Sequence, residues 1–584
     1  MLDAFIKKHS RLCALAAVLL CFVAAPYLIP ENPDSAVFRS GTLGAILLAA
    51  CLIPVEQAFS RADRRTLSMG LLFGFLFASA LSIGAELLVY DGFLPGMGSF
   101  VRRLAVPVLA APLLGGLCTR LMLFSPSGRT LHLPYWGYWL ILLGCWTPVL
   151  LAYFPAALNY DFVWEYREWL LGIYSNRHPL LYIILNNGLV QLGSALVSPT
   201  FGMFLSTLAH MIPFAAALAY SCTFLQKRNA PRWSLIALTA YYGFLPVFSL
   251  LSISTCKDTV FVASLLPLSL LSFEMIEDSE AFFQNKKRCL LYIFLIVMTM
   301  LLRNNGPFAF IFLVPLMIAV LRGYRRRFIL LMTSGVVATA LTSFALYSIF
   351  PVTNTPTRQL LSLPAQQLVR AYHLGDLTED EKEEIEYWTT DDYALGLFPH
   401  IADNVKGGLD EEKLAGHVND YLSLWLRIGK KCPRVYAEAA LMMNMASWYP
   451  DDTTIATIYH PYGVYVGYLE TDRYVDYFEQ ANIRTYHVLP SVYHIMERLC
   501  TDNRYLNMPL LPLLFNTALP LWVLLFSLST LASKHKQRLI PAAAGVLGIW
   551  LSYQFGACTL PRYILPLFCL APVMLLTAFL AKKD

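Results

Sequence analysis

The chain has 584 residues, 57% of them hydrophobic and only 14% charged, where an ordinary soluble domain carries about 25% charged residues. Its mean hydropathy is +0.53 and its formal net charge +5. That balance excludes a soluble enzyme, a nucleic-acid reader and a disordered scaffold, and leaves an all-α polytopic membrane protein.

Residues 11–29 follow Lys7, Lys8 and Arg11 and read as a first transmembrane helix with a cytoplasmic N-terminus. Pro26 and Pro30 among bulky neighbours make a poor signal-cleavage site. Further apolar runs lie near 41–59, 67–90, 104–123, 135–154, 201–223, 233–252, 259–276, 289–303, 306–322, 328–350, 508–532, 539–556 and 563–581, which predicts about fourteen spans. Basic clusters at Arg61/Arg64/Arg65, Lys227/Arg228/Arg232, Lys286/Lys287/Arg288, Arg322/Arg325/Arg326/Arg327, Lys534/Lys536/Arg538 and Lys582/Lys583 mark the cytoplasmic side, the C-terminus included. Arg102 and Arg103 are the one misfit, since this topology puts them outside, where they would bind lipid phosphate or stand as an exception to the rule.

Parity then constrains the run 179–197. Residues 155–178 are outside and Lys227 is inside, so the chain crosses an odd number of times between them. The run 179–197 carries Asn186, Asn187 and Gln191. It is therefore expected to be re-entrant or surface-lying, with protein or water around its amides.

These signals divide the chain into N-terminal spans (1–134, four of them), a transmembrane core (135–350) with an outer loop (155–200), an extracytoplasmic insert (351–507) and C-terminal spans (508–584). The insert holds 23 Asp/Glu against 13 Lys/Arg, while the rest holds 16 against 31. It is expected to be mainly helical over 362–388 and 410–445, ending at Trp448-Tyr449-Pro450, with an irregular Tyr- and Thr-rich remainder. Ten of the twelve cysteines lie in or beside apolar runs; only Cys432 and Cys500 fall in the insert, where an oxidising space would permit a disulfide.

The outer loop carries the chemistry. Asp161, Glu165 and Glu168 recur at i, i+4 and i+7, one face of a helix whose other face is Phe162, Trp169 and Leu170. Acids at an interface can simply face water, but only 16 of the 427 residues outside the insert are acidic, and three cluster here. Asp161, directly after a span, is the best candidate general base; Glu165 is a weaker one, and the pair could hold a divalent cation such as Mg or Mn. His178-Pro179 ends the loop, and His178 would donate a hydrogen bond or bind phosphate. Three cationic sites share the outer face: Lys257-Asp258, Arg303-Asn304 and Arg562-Tyr563. Singly each would snorkel to headgroups. Together they suggest a pocket for a lipid-linked phosphate, with Lys as a point charge and Arg as a fork.

The span, Pro155, Asp161, the amphipathic helix, Asn176-Arg177-His178-Pro179 and a short apolar run together resemble the first outer loop of GT-C fold glycosyltransferases. Lys257-Asp258, Arg303-Asn304-Asn305-Gly306, Asp403-Asn404-Val405-Lys406, Trp448-Tyr449-Pro450 and Arg562-Tyr563 resemble a little-characterised bacterial branch. The resemblance covers roughly 135–575, and residues 1–134 match no pattern. It implies an inverting transferase of the bacterial cytoplasmic membrane. Such an enzyme takes sugar from a polyprenyl-phosphate donor to an envelope glycan, lipid or protein acceptor on the extracytoplasmic face. The family's usual acid pair stands here as Asp161 with Glu165, and its His-Pro-Pro as His178-Pro179-Leu180, departures that bear on metal dependence. Two other classes fit the same composition: a transporter or flippase of a lipid-linked saccharide, against which stand the lack of an internal repeat and the polar residues gathered at the rim, and a non-catalytic assembly partner.

Overall fold

The computed structural model describes residues 2–28, 42–158, 160–390, 392–451, 482–502 and 504–582. Much of the expected irregular part of the insert, 452–481, lies outside the described residues. The described chain is nearly all helical; its only strands, Tyr174–Ser175 and Val352–Thr353, are two residues long and pair in parallel.

Among the described residues, eight helices are long and apolar enough to cross a membrane: Ser10–Tyr27, Arg64–Tyr90, Met97–Met122, Tyr135–Ala152, Pro199–Gln226, Lys257–Glu277, Arg325–Ile349 and Pro561–Leu580. A ninth, expected over 233–252, is broken into Arg232–Phe244 and Pro246–Ser252, bent by 51°. The cause is local: Pro246 has no N–H to give, and its ring drives Leu245 to an extended ψ of 123°. The other five expected runs fold as shorter or interrupted helices, such as Phe308–Val320 and Leu511–Phe515 followed by Leu519–Ser533.

Residues 14–28 and 55–113 build an apolar cluster of their own. Its two long helices meet backbone to backbone, since a Cβ on Gly74 would lie 2.4 Å from the nitrogen of Gly115. Asp63 caps the first of them by accepting from Thr66 N at 3.1 Å, and Asp91 ends it in the left-handed region at φ 47°. The loop that follows is held by two buried acids. Glu86 accepts from Leu94 N at 2.8 Å and Glu438 of the insert from Phe93 N at 2.9 Å. Arg102 and Arg103 lie 3.6 and 3.8 Å from the Glu86 carboxylate. The two arginines thus have a buried protein partner, which the sequence reading did not supply.

The insert has its own core, from Leu361 to Tyr436. The helix expected over 362–388 is two helices, Ser362–Leu374 and Glu379–Glu386, separated at Gly375 and restarted by a capping box of Thr378 and Glu381. Pro433 likewise divides Val418–Lys431 from Pro433–Met443. From there the chain returns to the membrane helices. Tyr449 is fully buried, Trp522 Nε1 donates to the Trp448 carbonyl at 2.7 Å and Asn444 Nδ2 to the Gln554 carbonyl at 3.1 Å. Cys432 and Cys500 are both free thiols, one in the core of the insert and the other in the main transmembrane core, so they do not pair.

Candidate functional site

Asp161 and Glu165 sit one turn apart on the helix Tyr160–Leu171, both buried, at 8% and 0% exposure. The third acid of the pattern, Glu168, turns away. It accepts from Ser175 N at 3.2 Å and Ser175 Oγ at 2.6 Å, tying the helix to the short strand after it. The strand leads to His178, also buried. Asn304 does not line this centre; its Nδ2 donates to the carbonyls of Asn176 and Arg177 at 2.9 and 3.1 Å and so fixes the turn that presents His178.

Three distant segments converge on these acids. Lys257, the first residue of Lys257–Glu277, sets Nζ 2.9 Å from Asp161 Oδ2, 3.1 Å from His178 Nδ1 and 3.4 Å from Glu165 Oε1. Arg562, near the start of Pro561–Leu580, gives Nη1 to the same Asp161 Oδ2 at 2.9 Å. His178 Nδ1 also lies 3.1 Å from Glu165 Oε1. Lys257 can only donate and an ionised Glu165 can only accept, so Nδ1 serves one or the other according to the tautomer of the ring.

The other two expected residues form a second buried pair beside the first. Arg303 is in direct ion contact with Asp258. Its Nε donates to Asn305 Oδ1 at 3.0 Å, and its guanidinium carbon lies 4.9 and 5.0 Å from the ring centres of Tyr553 and Tyr563. Those rings stack on each other at 5.0 Å and 13°. Arg562 Nη2 donates to the Tyr563 hydroxyl at 3.3 Å. Lys257, Arg303 and Arg562 are therefore neighbours, but Asp161, Glu165 and Asp258 balance them charge for charge. The expected pocket of free cations is a neutral network of ion pairs.

Burial by itself would raise both carboxyls of the helix. For Asp161 the charges of Arg562 and then Lys257 outweigh it and hold the group well below the usual range. For Glu165 burial is opposed by Lys257 and then His178, and the net shift is again downward. Both are ionised at neutral pH. Depressed folded values mean that their contribution to stability is present above the unfolded values and is lost as pH falls through the folded ones. The acid limb of any pH–rate profile that depends on them should accordingly fall below 4.5, the ordinary value for Glu; an acid limb near pH 6 would contradict the arrangement.

Asp161, Glu165 and His178 each offer a ligand atom within 4.8 Å of the others, a group that could hold a metal ion. Among the described residues, Glu165 Oε2 and His178 Nε2 are buried without a hydrogen-bond partner. Of the three amides in the expected re-entrant run, Asn186 and Asn187 are buried and Gln191 is exposed. Asn187 Nδ2 donates to the Glu165 carbonyl at 3.1 Å, and Asn186 accepts from Ser206. Their helix, Leu180–Leu196, runs antiparallel to Pro199–Gln226, with Gly193 against Gly202, Asn186 on Ser206 and Tyr182 hydrogen-bonded to His210 Nε2 at 3.1 Å. Between this hairpin and the helices of Lys257 and Leu295 lies a cavity of about 240 Å³. It is lined by Tyr182, His210, Val260, Phe294 and Met298 among others, so it begins one turn along from Lys257. Sequence reasoning missed Tyr182, His210 and Tyr553, because single aromatic or His residues in apolar runs carry no local signal.

No curated protein and no solved structure matches the chain. Residues 171–584 match a family described as a family of unknown function, DUF6020. The matched segment contains His178, Lys257, Arg303 and Arg562, and it begins after Asp161 and Glu165. Since it spans well over half of the sequence, the chain belongs to the family DUF6020.

Proposed function

We propose that this protein is an inverting membrane glycosyltransferase that moves a sugar from a polyprenyl-phosphate carrier to an acceptor hydroxyl of an envelope glycan, lipid or protein. The observation that carries the reading is the convergence of two ionised carboxylates, an imidazole and two cations from four separate segments into one buried cluster. An apolar cavity beside it offers room for part of a hydrocarbon tail. In the step we propose, the acceptor oxygen attacks the anomeric carbon and its proton passes to a carboxylate of the Asp161–Glu165 pair. The bond from the anomeric carbon to the phosphate oxygen breaks, and polyprenyl phosphate leaves with the electron pair. The carboxylates also favour the positive charge that develops on the sugar ring. Lys257 and Arg562 would meet the departing phosphate by exchanging part of their contact with Asp161 for it.

In this reading the shorter helices complete fourteen crossings of the bacterial cytoplasmic membrane, with both termini inside and 351–507 outside. Val197, highly exposed at the tip of the hairpin, is then on the outer face. A Val197→Cys chain in a background without reactive thiols should be labelled by an impermeant maleimide added outside intact cells; labelling only after the cells are opened contradicts this topology.

The function is tested by mass spectrometry of envelope glycans from cells carrying the wild-type chain, no chain, or Glu165→Gln. Loss of the same glycan in the last two supports transfer. A normal glycan profile in both rejects it, and an intact lipid-linked saccharide retained on the inner leaflet moves the case to a flippase.

A further inference from the structure

We infer that Lys257 is the resident cation of the Asp161–Glu165–His178 cluster, and that its ammonium group closes the centre to the divalent metal ion whose ligands the cluster otherwise supplies. The inference concerns the same site as the proposed transfer reaction and does not depend on that reaction being the right one.

Three residues contribute the atoms a metal would use, and Lys257 Nζ contacts an atom of each, at 2.9 Å (Asp161), 3.1 Å (His178) and 3.4 Å (Glu165). Metal–oxygen and metal–nitrogen bonds in such a set are about 2.0–2.2 Å. An ion bound by all three residues would lie among ligand atoms that are within 4.8 Å of one another, in the space where the amine now sits. The two cannot share it, because they repel and because the same lone pairs serve both. Charge leads to the same conclusion. Asp161 and Glu165 are matched by Lys257 and Arg562, so adding a divalent ion would leave two positive charges in a buried site.

The amine is also held in place from behind. Its backbone opens the helix Lys257–Glu277, and the next residue, Asp258, is 1% exposed and clamped by Arg303 and by Cys256 Sγ at 2.8 Å. With Lys257 removed, the cluster would keep two carboxylates, one imidazole and one arginine, a net negative charge in a donor set suited to Mn²⁺. The two buried atoms without partners, Glu165 Oε2 and His178 Nε2, would then be additional ligand positions.

The test is a Mn²⁺ titration of the purified full-length chain, followed by electron paramagnetic resonance and without any substrate. Wild type and Lys257→Arg should show no Mn²⁺ binding that is sensitive to Glu165→Gln. Lys257→Met should gain one such site per chain and lose it when Glu165→Gln is added. Wild-type binding of one Mn²⁺ per chain that Glu165→Gln abolishes would overturn the inference, as would a folded Lys257→Met chain with no gain. Should Lys257→Met not fold, wild type still decides: its thermal unfolding should be indifferent to both Mn²⁺ and chelator, and a chelator-sensitive melt rejects the proposal. Because Mn²⁺ is read without substrate, failure here and failure of the transfer assay are separate results.

Discussion

An Asp161→Asn chain should be destabilised by about 3–5 kcal/mol, the typical cost of breaking a buried ion pair by removing one partner. The physical reason is that one carboxylate oxygen, Oδ2, receives both Lys257 Nζ and Arg562 Nη1 at 2.9 Å. The amide keeps the shape but not the charge, and two cations with little exposure lose the carboxylate they share. The sequence marked Asp161 only as a candidate base; the double ion contact makes it a structural group as well. Thermal unfolding in detergent, compared with wild type at matched lipid, measures the effect. An Asn variant that melts with the wild type and turns over at its rate would show that the cluster is not held by this residue.

Glu165→Gln should behave differently, with a fall in transfer rate of roughly 10²–10⁴-fold, the usual worth of a general base, in a chain that still folds. Among the described residues, Glu165 meets one permanent cation, Lys257, at 3.4 Å, and its Oε2 has no hydrogen-bond partner. It is held down by fewer charges than Asp161, and the Asp161 charge opposes the shift. We therefore expect Glu165 to be the better proton acceptor of the two, against the order drawn from the sequence. Single-turnover rates in liposomes, with donor binding measured separately, isolate the proton-transfer step from any loss of affinity. A folded Asp161→Asn chain that is dead beside a Glu165→Gln chain of near-normal rate would return the base to Asp161.

The sequence by itself determined the class of the protein and the addresses of its polar residues. Helical apolar runs are local, and their composition is enough to identify them. A polar group in or beside such a run has a cost, so Asp161, His178, Asn186, Asn187, Lys257, Arg303 and Arg562 stood out one by one. All of them are in fact drawn into buried hydrogen-bonded or ionic networks. The helical character of the insert was legible for the same reason, and its interruptions at Gly375 and Pro433 follow from single residues whose backbone preferences are known.

Only the tertiary structure decided who meets whom. Asp161 and Arg562 are 401 residues apart and share a hydrogen bond; no periodicity reaches that far. The i, i+4, i+7 pattern made Glu168 equivalent to the other acids, yet the chain turns at Gly172 and Ser175 captures it. Arg102 and Arg103 looked unpartnered until the fold brought Glu86 beside them, and Arg303 looked like a phosphate ligand until Asp258 was found against it. Charge patterning along a chain records how many ionic groups must be buried, while their pairing is set by which helix ends meet, and that depends on the packing of the whole bundle.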